Sequence, residues 1–307
     1  MAPSHALIAG VNKAGTTSLF AALAQHPDIA GAAVKETRYF LPARYGQPLE
    51  PVDVFDRHFA GAPDNVVRLE ATPSYIYGGE AVGAAIDERL PDPRVLVVLR
   101  EPVSRAISFF RYQKTRLRFP AELDLDEYLS EADRLTGEDF DDPASERYMA
   151  FRGGCYAMFL PDWFARFDPE RLRIVYFEDL VADPRTELRA TVAWLGLDPD
   201  RLPPEAFASE NRTTDFKSKS LQRVALFGND RFEQFLRRHM GLKRRLRAAY
   251  YRLNGRARPL DDVSAAARAE LTARYRAPND ELARLLSGHG VALADWLDDA
   301  SRTRVTP

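Results

Sequence analysis

Apolar residues fall into two rhythms along this chain. Residues 6–10, 29–33, 66–70, 95–99 and 172–177 read as strands or extended segments. Of these, 95–99 (Val-Leu-Val-Val-Leu) is continuously apolar, as a strand covered on both faces should be. Between them lie segments with helical spacing. Residues 17–25 place Leu19, Phe20 and Leu23 together and end before His26-Pro27. Residues 81–90 stop before Pro91, residues 103–112 follow the clearest strand, and residues 157–167 are rich in Phe and Leu with Trp163. In 187–195, Leu188, Val192 and Leu195 share one face, and Gly196 ends the helix. Residues 42–63 are proline-rich and irregular, with a short helical turn near 54–59. The acidic stretch 119–144 reads as peripheral, with one helix at 125–132. Strand and helix alternate from residue 6 to about 195, which predicts an α/β fold around a mainly parallel sheet. Beyond residue 200 the pattern turns helical, with predicted helices at 265–275 and 279–286 and an end near Trp296. The chain contains no internal repeat, heptad array or low-complexity linker. It reads as one domain over 1–307, an α/β core to residue 200 carrying a helical extension.

The first strand runs into the most informative stretch, residues 7–20. Two glycines and a lysine separate the strand from its helix: Gly10-Val11-Asn12-Lys13-Ala14-Gly15-Thr16-Thr17-Ser18. Glycine lets the backbone approach an anion, and the free N–H groups of a helix start point at it. The hydroxyls of Thr16, Thr17 and Ser18 add donors. Gly10 and Gly15 keep the spacing of the nucleotide-triphosphatase loop, but Thr16 stands where that motif needs lysine. The lysine is displaced to Lys13, inside the loop. A phosphate therefore fits this P-loop-like turn better than a γ-phosphate with magnesium does.

Composition narrows the class. The 307 residues are 45% hydrophobic and 29% charged, with a formal net charge of −2. That balance suits a globular protein and gives no overall pull towards nucleic acid. Only six lysines stand among the 43 Lys and Arg, so a lysine inside a glycine turn is not ordinary surface filler. The single cysteine, Cys155, allows no intrachain disulfide and reads as a small buried residue. No stretch approaches the ~20 apolar residues of a membrane span. With no signal-peptide pattern, a cytoplasmic location is the expectation.

Other stretches offer chemistry and leave alternatives open. Residues 34–40 (Val-Lys-Glu-Thr-Arg-Tyr-Phe) are dense in charge and aromatics, either a solvated loop or part of a site. Residues 71–75 follow the third strand at its carboxyl end, where ligands collect in open α/β sheets. Arg100 ends the clearest strand and Ser108 lies two turns into the next helix. Both could reach one anion, or Arg100 could pair with a carboxylate. Residues 211–220 are hydroxyl-rich and basic, which fits a phosphate clamp or a solvated loop. Residues 231–258 form a basic amphipathic helical region. Core packing with a solvated basic face, a site for an acidic acceptor and loose membrane-surface contact are all compatible with it.

Taken in order, the Lys13–Ser18 loop, the Glu36 stretch and the strand running into Arg100 with Ser108 beyond resemble the sulfotransferases. The similarity covers most of the chain and is greatest to the heparan sulfate glucosaminyl type and its bacterial relatives. The resemblance implies 3′-phosphoadenosine 5′-phosphosulfate as donor, adenosine 3′,5′-bisphosphate as product, and no metal. It assigns Lys13, Ala14, Gly15, Thr16, Thr17 and Ser18 to the 5′-phosphosulfate, and Arg100 and Ser108 to the 3′-phosphate. It makes Glu36 the catalytic base, adds Tyr156 to the donor side, and matches Lys217 and Lys219 loosely to a late basic loop over the 3′-phosphate. Lys13 would neutralise charge on the leaving phosphate.

Two departures concern the acceptor. The eukaryotic heparan-type enzymes carry a lysine where Ala71 stands, a place that the neighbouring Lys35 could fill, and their carboxyl-terminal disulfide is impossible with one cysteine. A bacterial small molecule, lipid or glycoside, modified on a hydroxyl more readily than an amine, is the expected acceptor. Two rival readings remain: a P-loop nucleotide kinase, which needs lysine at position 16, and a non-catalytic nucleotide-binding or membrane-associated scaffold.

Overall fold

The computed structural model describes residues 4–120, 122–207, 215–216, 255–256 and 263–302. Its centre is a five-stranded, wholly parallel sheet: β1 (His5–Gly10), β2 (Ile29–Gly31), β3 (Val67–Ala71), β4 (Pro93–Leu99) and β5 (Leu172–Tyr176), in the order β2-β3-β1-β4-β5. All six residues of β1 are buried, and Val95–Leu99 of β4 are fully covered. This is why those two segments read as continuous apolar runs: a central parallel strand meets no solvent on either face.

The helices are α1 (Thr16–Leu23), α2 (Leu41–Arg44), α3 (Val52–Asp56), α4 (Gly79–Arg89), α5 (Pro102–Thr115), α6 (Leu125–Ala132), α7 (Leu160–Arg166), α8 (Phe177–Ala182) and α9 (Pro184–Trp194). They flank the sheet, α1 packing on α9 and α4 on α7. The expected α/β class with a parallel sheet is therefore observed. Because all five strands run the same way, the loops after β1, β3, β4 and β5 emerge at one edge of the sheet. A small antiparallel pair joins Asp215–Phe216 to Gly255–Arg256.

Several local expectations need correction. The stretch 119–144 is not peripheral: Phe119, Leu123, Tyr128, Leu129 and Phe140 are buried. Its acids face outward while Tyr128 packs against Phe110 and Phe119, with ring centroids 5.0 and 5.3 Å away. The helix predicted at 157–167 starts only at Leu160, after two 3-10 turns, and α8 went unpredicted because its six residues are too few to show a period.

The two helices predicted at 265–275 and 279–286 are one, Ala265–Gly288, running through Pro278. An interior proline costs a helix about 3 kcal/mol. Ala267, Leu271, Tyr275, Leu282 and Leu286 line one buried face across the proline, and burying each large apolar side chain returns about 1.5–3 kcal/mol. Packing therefore outweighs the local penalty. The helix is also held by Arg274, whose Nη1 donates to Asp133 Oδ2 at 3.1 Å. Among the described residues no helix is long and apolar enough to cross a membrane.

Gly154 is where this helix meets the core. A Cβ there would lie 2.6 Å from the Tyr275 hydroxyl, which is fixed by the carbonyls of Ala150 and Phe151 at 3.1 and 2.8 Å. Gly154→Ala is expected to destabilise by about 1–3 kcal/mol, read as a lower denaturant midpoint. An unchanged midpoint would show that the helix yields at no cost.

Candidate active site

The loop between β1 and α1 is shaped by its carbonyls. Arg100 Nη1 donates to Lys13 O at 2.8 Å, and Arg105 Nη1 reaches Asn12 O at 3.5 Å. Guanidiniums thus occupy the carbonyl side of residues 12 and 13. Lys13 has φ 73° and Gly15 φ 77°. At Gly15 a side chain is excluded twice, by that backbone conformation and by Phe177, whose Cδ2 would lie 2.8 Å from a Cβ. The first turn of α1 has no side-chain cap and no acidic residue, so the N–H groups of Gly15, Thr16 and Thr17 stay open to an anion, while Ser18 N–H donates to Gly15 O at 2.9 Å. Thr16 is buried at this entrance, Ser18 is half-buried and Thr17 is exposed.

Lys13 lies above this turn with its Nζ 4.6 Å from the centre of the Tyr112 ring. Among the described residues it makes no ion pair. Burial, then the Arg100 charge, lowers its ammonium from 10.5 to about 8, and Glu36 works weakly in the other direction. An unpaired, half-desolvated cation beside an open helix start is a prepared anion site.

Arg100 sits where β4 ends. Its guanidinium lies 4.4 Å from the Phe177 ring centre, and its Nε is buried without a partner. Its backbone is fixed as well. The Tyr156 hydroxyl donates to Arg100 O at 2.7 Å, and the next residue, Glu101, caps α5 by accepting from the N–H groups of Val103 and Ser104 at 2.8 and 2.7 Å. Tyr156 itself is 2% exposed. It therefore holds the Arg100 backbone from the interior of the protein. Ser108 is half-buried on α5, and no hydrogen bond joins it to Arg100. Lys217 and Lys219, and most of the basic region 231–258, lie outside the described residues.

The Glu36 stretch is a constructed loop. Glu36 N–H donates to Ala71 O at 2.9 Å, which pins the loop to the end of β3. Glu36 and Arg38 both have left-handed backbones, φ 65° and 60°, a conformation that non-glycine residues adopt only when their surroundings impose it. Here the surroundings are polar and buried. Glu70 Oε1 accepts from Thr37 N–H and Thr37 Oγ1, both at 3.0 Å, and from Thr72 Oγ1. Thr72 Oγ1 in turn accepts from Arg38 N–H at 3.1 Å, and the Tyr75 hydroxyl accepts from Phe40 N–H at 3.2 Å. The carboxylate of Glu36 projects away from this network, 41% exposed, and pairs with Lys35 Nζ at 3.0 Å through Oε1. The Lys35 ammonium thus stands beside the carboxylate, while Ala71 is sealed within β3.

These sites share one edge of the sheet. The Lys13 ammonium responds to the charges of Arg100, Glu36 and Lys35, so the structure brings together the loop, the strand-end arginine and the carboxylate named from sequence. Sequence reasoning passed over Glu70, Arg105 and Tyr112. Arg105 had a signal, since it interrupts the apolar face of α5 formed by Pro102, Ala106 and Phe109. Glu70 also had one, as an acid closing a buried strand. Tyr112 had none, because an aromatic in an amphipathic helix reads as core, yet here it is 40% exposed.

Residues 3–243 match the sequence profile of the sulfotransferase domain family. This chain belongs to the sulfotransferase family. It is 34% identical over 194 residues to the mouse heparan sulfate glucosamine 3-O-sulfotransferase 3B1, covering 63% of this chain and 46% of that one. Against the human heparan sulfate glucosamine 3-O-sulfotransferase 6 the identity is 30% over 256 residues, 82% of this chain and 70% of the relative. The chain thus spans about half the length of several mammalian relatives that it matches. In fold it is similar to a sulfotransferase from Alicyclobacillus acidocaldarius, with a TM-score of 0.66 and 22% identity over 96% of this chain and 99% of that one.

Burial lifts the Glu70 carboxyl from 4.5 to about 7 and outweighs the opposing hydrogen bonds from Thr72 and Thr37. The unfolded chain releases this proton from about pH 4.5 and the folded chain from about pH 7. Stability contributed by this group is therefore full below about 4.5 and lost as pH rises towards 7, by about 3 kcal/mol at most. The excess melting temperature of wild type over Glu70→Gln is expected to shrink between about pH 5 and about pH 7.5. A difference that does not change with pH would contradict this linkage.

Proposed function

We propose that this protein transfers a sulfuryl group from 3′-phosphoadenosine 5′-phosphosulfate to a hydroxyl of a saccharide or other small acceptor, an amine being the less favoured nucleophile. The observation that carries this reading is the largely buried Lys13 ammonium, without an ion pair among the described residues, on the loop that opens into the uncapped start of α1. Family membership supports the reaction class. The names of the mammalian relatives at 30–34% identity, which specify O-sulfation of a glucosamine, favour oxygen and a carbohydrate.

The residues fit the donor. The cradle at Gly15 excludes a side chain, Arg100 keeps a buried Nε without a partner, and Lys13 has no carboxylate bonded to it among the described residues. When bound, the donor supplies a sulfuryl group already activated by a phosphate leaving group. The N–H groups of residues 15–17 bind anionic oxygen at the mouth of α1, in a geometry set before any ligand arrives. Lys13 places its positive charge where negative charge grows on the leaving side. Arg100 and Ser108 are assigned to the 3′-phosphate, and Tyr156 keeps Arg100 in position. Glu36 accepts the acceptor's proton. Because Lys35 occupies Oε1, Oε2 is the oxygen left for that proton, and Lys35 supplies the second basic group that Ala71 lacks. Thr16 in the nucleotide-triphosphatase lysine position counts against a kinase.

A Lys13 ammonium near pH 8 makes donor binding proton-linked, because a bound phosphate favours its charged form. Adenosine 3′,5′-bisphosphate is expected to take up protons on binding at about pH 8.5, and to bind more weakly as pH rises through about 8. Calorimetry in buffers of different ionisation enthalpy measures the uptake. Lys13→Met should abolish it and weaken binding about tenfold or more. Failure of the bisphosphate to bind, or equal uptake by the variant, would contradict the proposal.

A further inference from the structure

Apart from the Lys13 loop, the described residues line an open cavity of about 230 Å³ between α2, the turn after β3, the segment 137–141 and the start of α7. Its walls include Arg44, Arg152, Tyr77, Phe140 and Phe159. Neither arginine has a carboxylate partner among the described residues. Arg44 Nη1 is buried with no hydrogen bond, and Nη2 has only a long one, 3.3 Å to Phe140 O. The Arg44 guanidinium lies 5.2 and 5.9 Å from the ring centres of Tyr45 and Tyr77. The Arg152 guanidinium lies 4.9 Å from the Phe140 ring centre and makes no hydrogen bond among the described residues. Burial lowers Arg152 from its ordinary value and the Arg44 charge adds to the effect, while Cys155 and the Asp141 carboxylate oppose it.

Two guanidiniums that repel each other around one cavity are costly to keep unless something neutralises them. Stacking on aromatic rings orients each planar fork and leaves its N–H edge free for an oxyanion. Asp141 and Asp162 also line the cavity, and neither pairs with an arginine among the described residues. Asp162 is turned aside, accepting from Glu80 N–H at 3.1 Å. Carboxylates at the rim disfavour a multiply charged ligand and offer acceptors to hydroxyl groups. At about 230 Å³ the cavity is smaller than the roughly 300–1,000 Å³ of drug-sized sites, so it suits one ring or less.

We infer that the Arg44–Arg152 cavity binds a singly charged carboxylate or sulfate monoester group carried on a small hydroxylated molecule. None of the residues lining the cavity is assigned to the donor, although Tyr77 also reaches the Asn12 backbone, and occupancy does not require transfer activity.

Glucuronate, glucose 6-sulfate and inorganic sulfate, titrated into the full chain by NMR or calorimetry with adenosine 3′,5′-bisphosphate already bound, test the inference. Saturable binding is expected, weakened about tenfold or more in Arg152→Gln, with affinity for the bisphosphate unchanged. Arg152 has no hydrogen bond to lose among the described residues, so this variant is expected to fold normally, and Arg44→Gln gives an independent second reading. The two monoanionic sugars are expected to bind more tightly than inorganic sulfate, a dianion, and inorganic sulfate binding as tightly as the sugars would overturn the inference. Absence of saturable binding by all three probes would overturn the inference. So would equal affinity in wild type and both variants.

Discussion

The candidate base depends on a carboxyl group that is itself sealed from solvent. Glu70, at the end of β3, holds Thr37 by both its N–H and its hydroxyl. That grip keeps two left-handed residues, Glu36 and Arg38, in place on either side of Thr37. A loop of non-glycine residues left to itself would relax towards ordinary backbone angles and carry Glu36 away from Lys13. The buried carboxyl therefore stabilises a geometry that local sequence disfavours. Its cost is visible as a carboxyl held protonated up to about pH 7.

The donor side uses the opposite charge in the same way. Arg105 is fully buried and faces backbone carbonyls: its Nη2 donates to Met149 O at 2.9 Å and to Ala150 O, while its Nη1 reaches Asn12 O. Arg100 takes the adjacent carbonyl, Lys13 O. One buried acid thus orders the Glu36 loop through its N–H groups, and two arginines order the Lys13 loop through its carbonyls. Between them stands Lys13, a cation with no ion pair among the described residues. Charges already committed to the backbone do not need to reorganise during a reaction, which is the condition for electrostatic catalysis.

Much of this could be read from the chain. The strand at 95–99 was legible because a central parallel strand is apolar on both faces. The loop at 10–18 was legible because closely spaced glycines, a lysine and three hydroxyls at a strand–helix junction converge on one chemistry, anion binding. What stayed hidden was tertiary. Pro278 reads as a helix break, and only the buried face from Ala267 to Leu286 accounts for the helix continuing. The acids of 119–144 conceal aromatics that reach the core. Glu70 and Arg105 look like ordinary charges until their burial is known, and the Arg44–Arg152 cavity joins residues more than a hundred positions apart.

In the proposed reaction, proton removal and donor binding fall to different residues, so one substitution separates them. Transfer of labelled sulfur from 3′-phosphoadenosine 5′-phosphosulfate to a panel of saccharide and small-molecule hydroxyls, compared between wild type and Glu36→Gln, makes that separation. Labelled acceptor is expected with wild type. In the variant, transfer should fall by about 10²–10⁴-fold while adenosine 3′,5′-bisphosphate binds as before. Undiminished transfer by Glu36→Gln would contradict the assignment of Glu36 as the base.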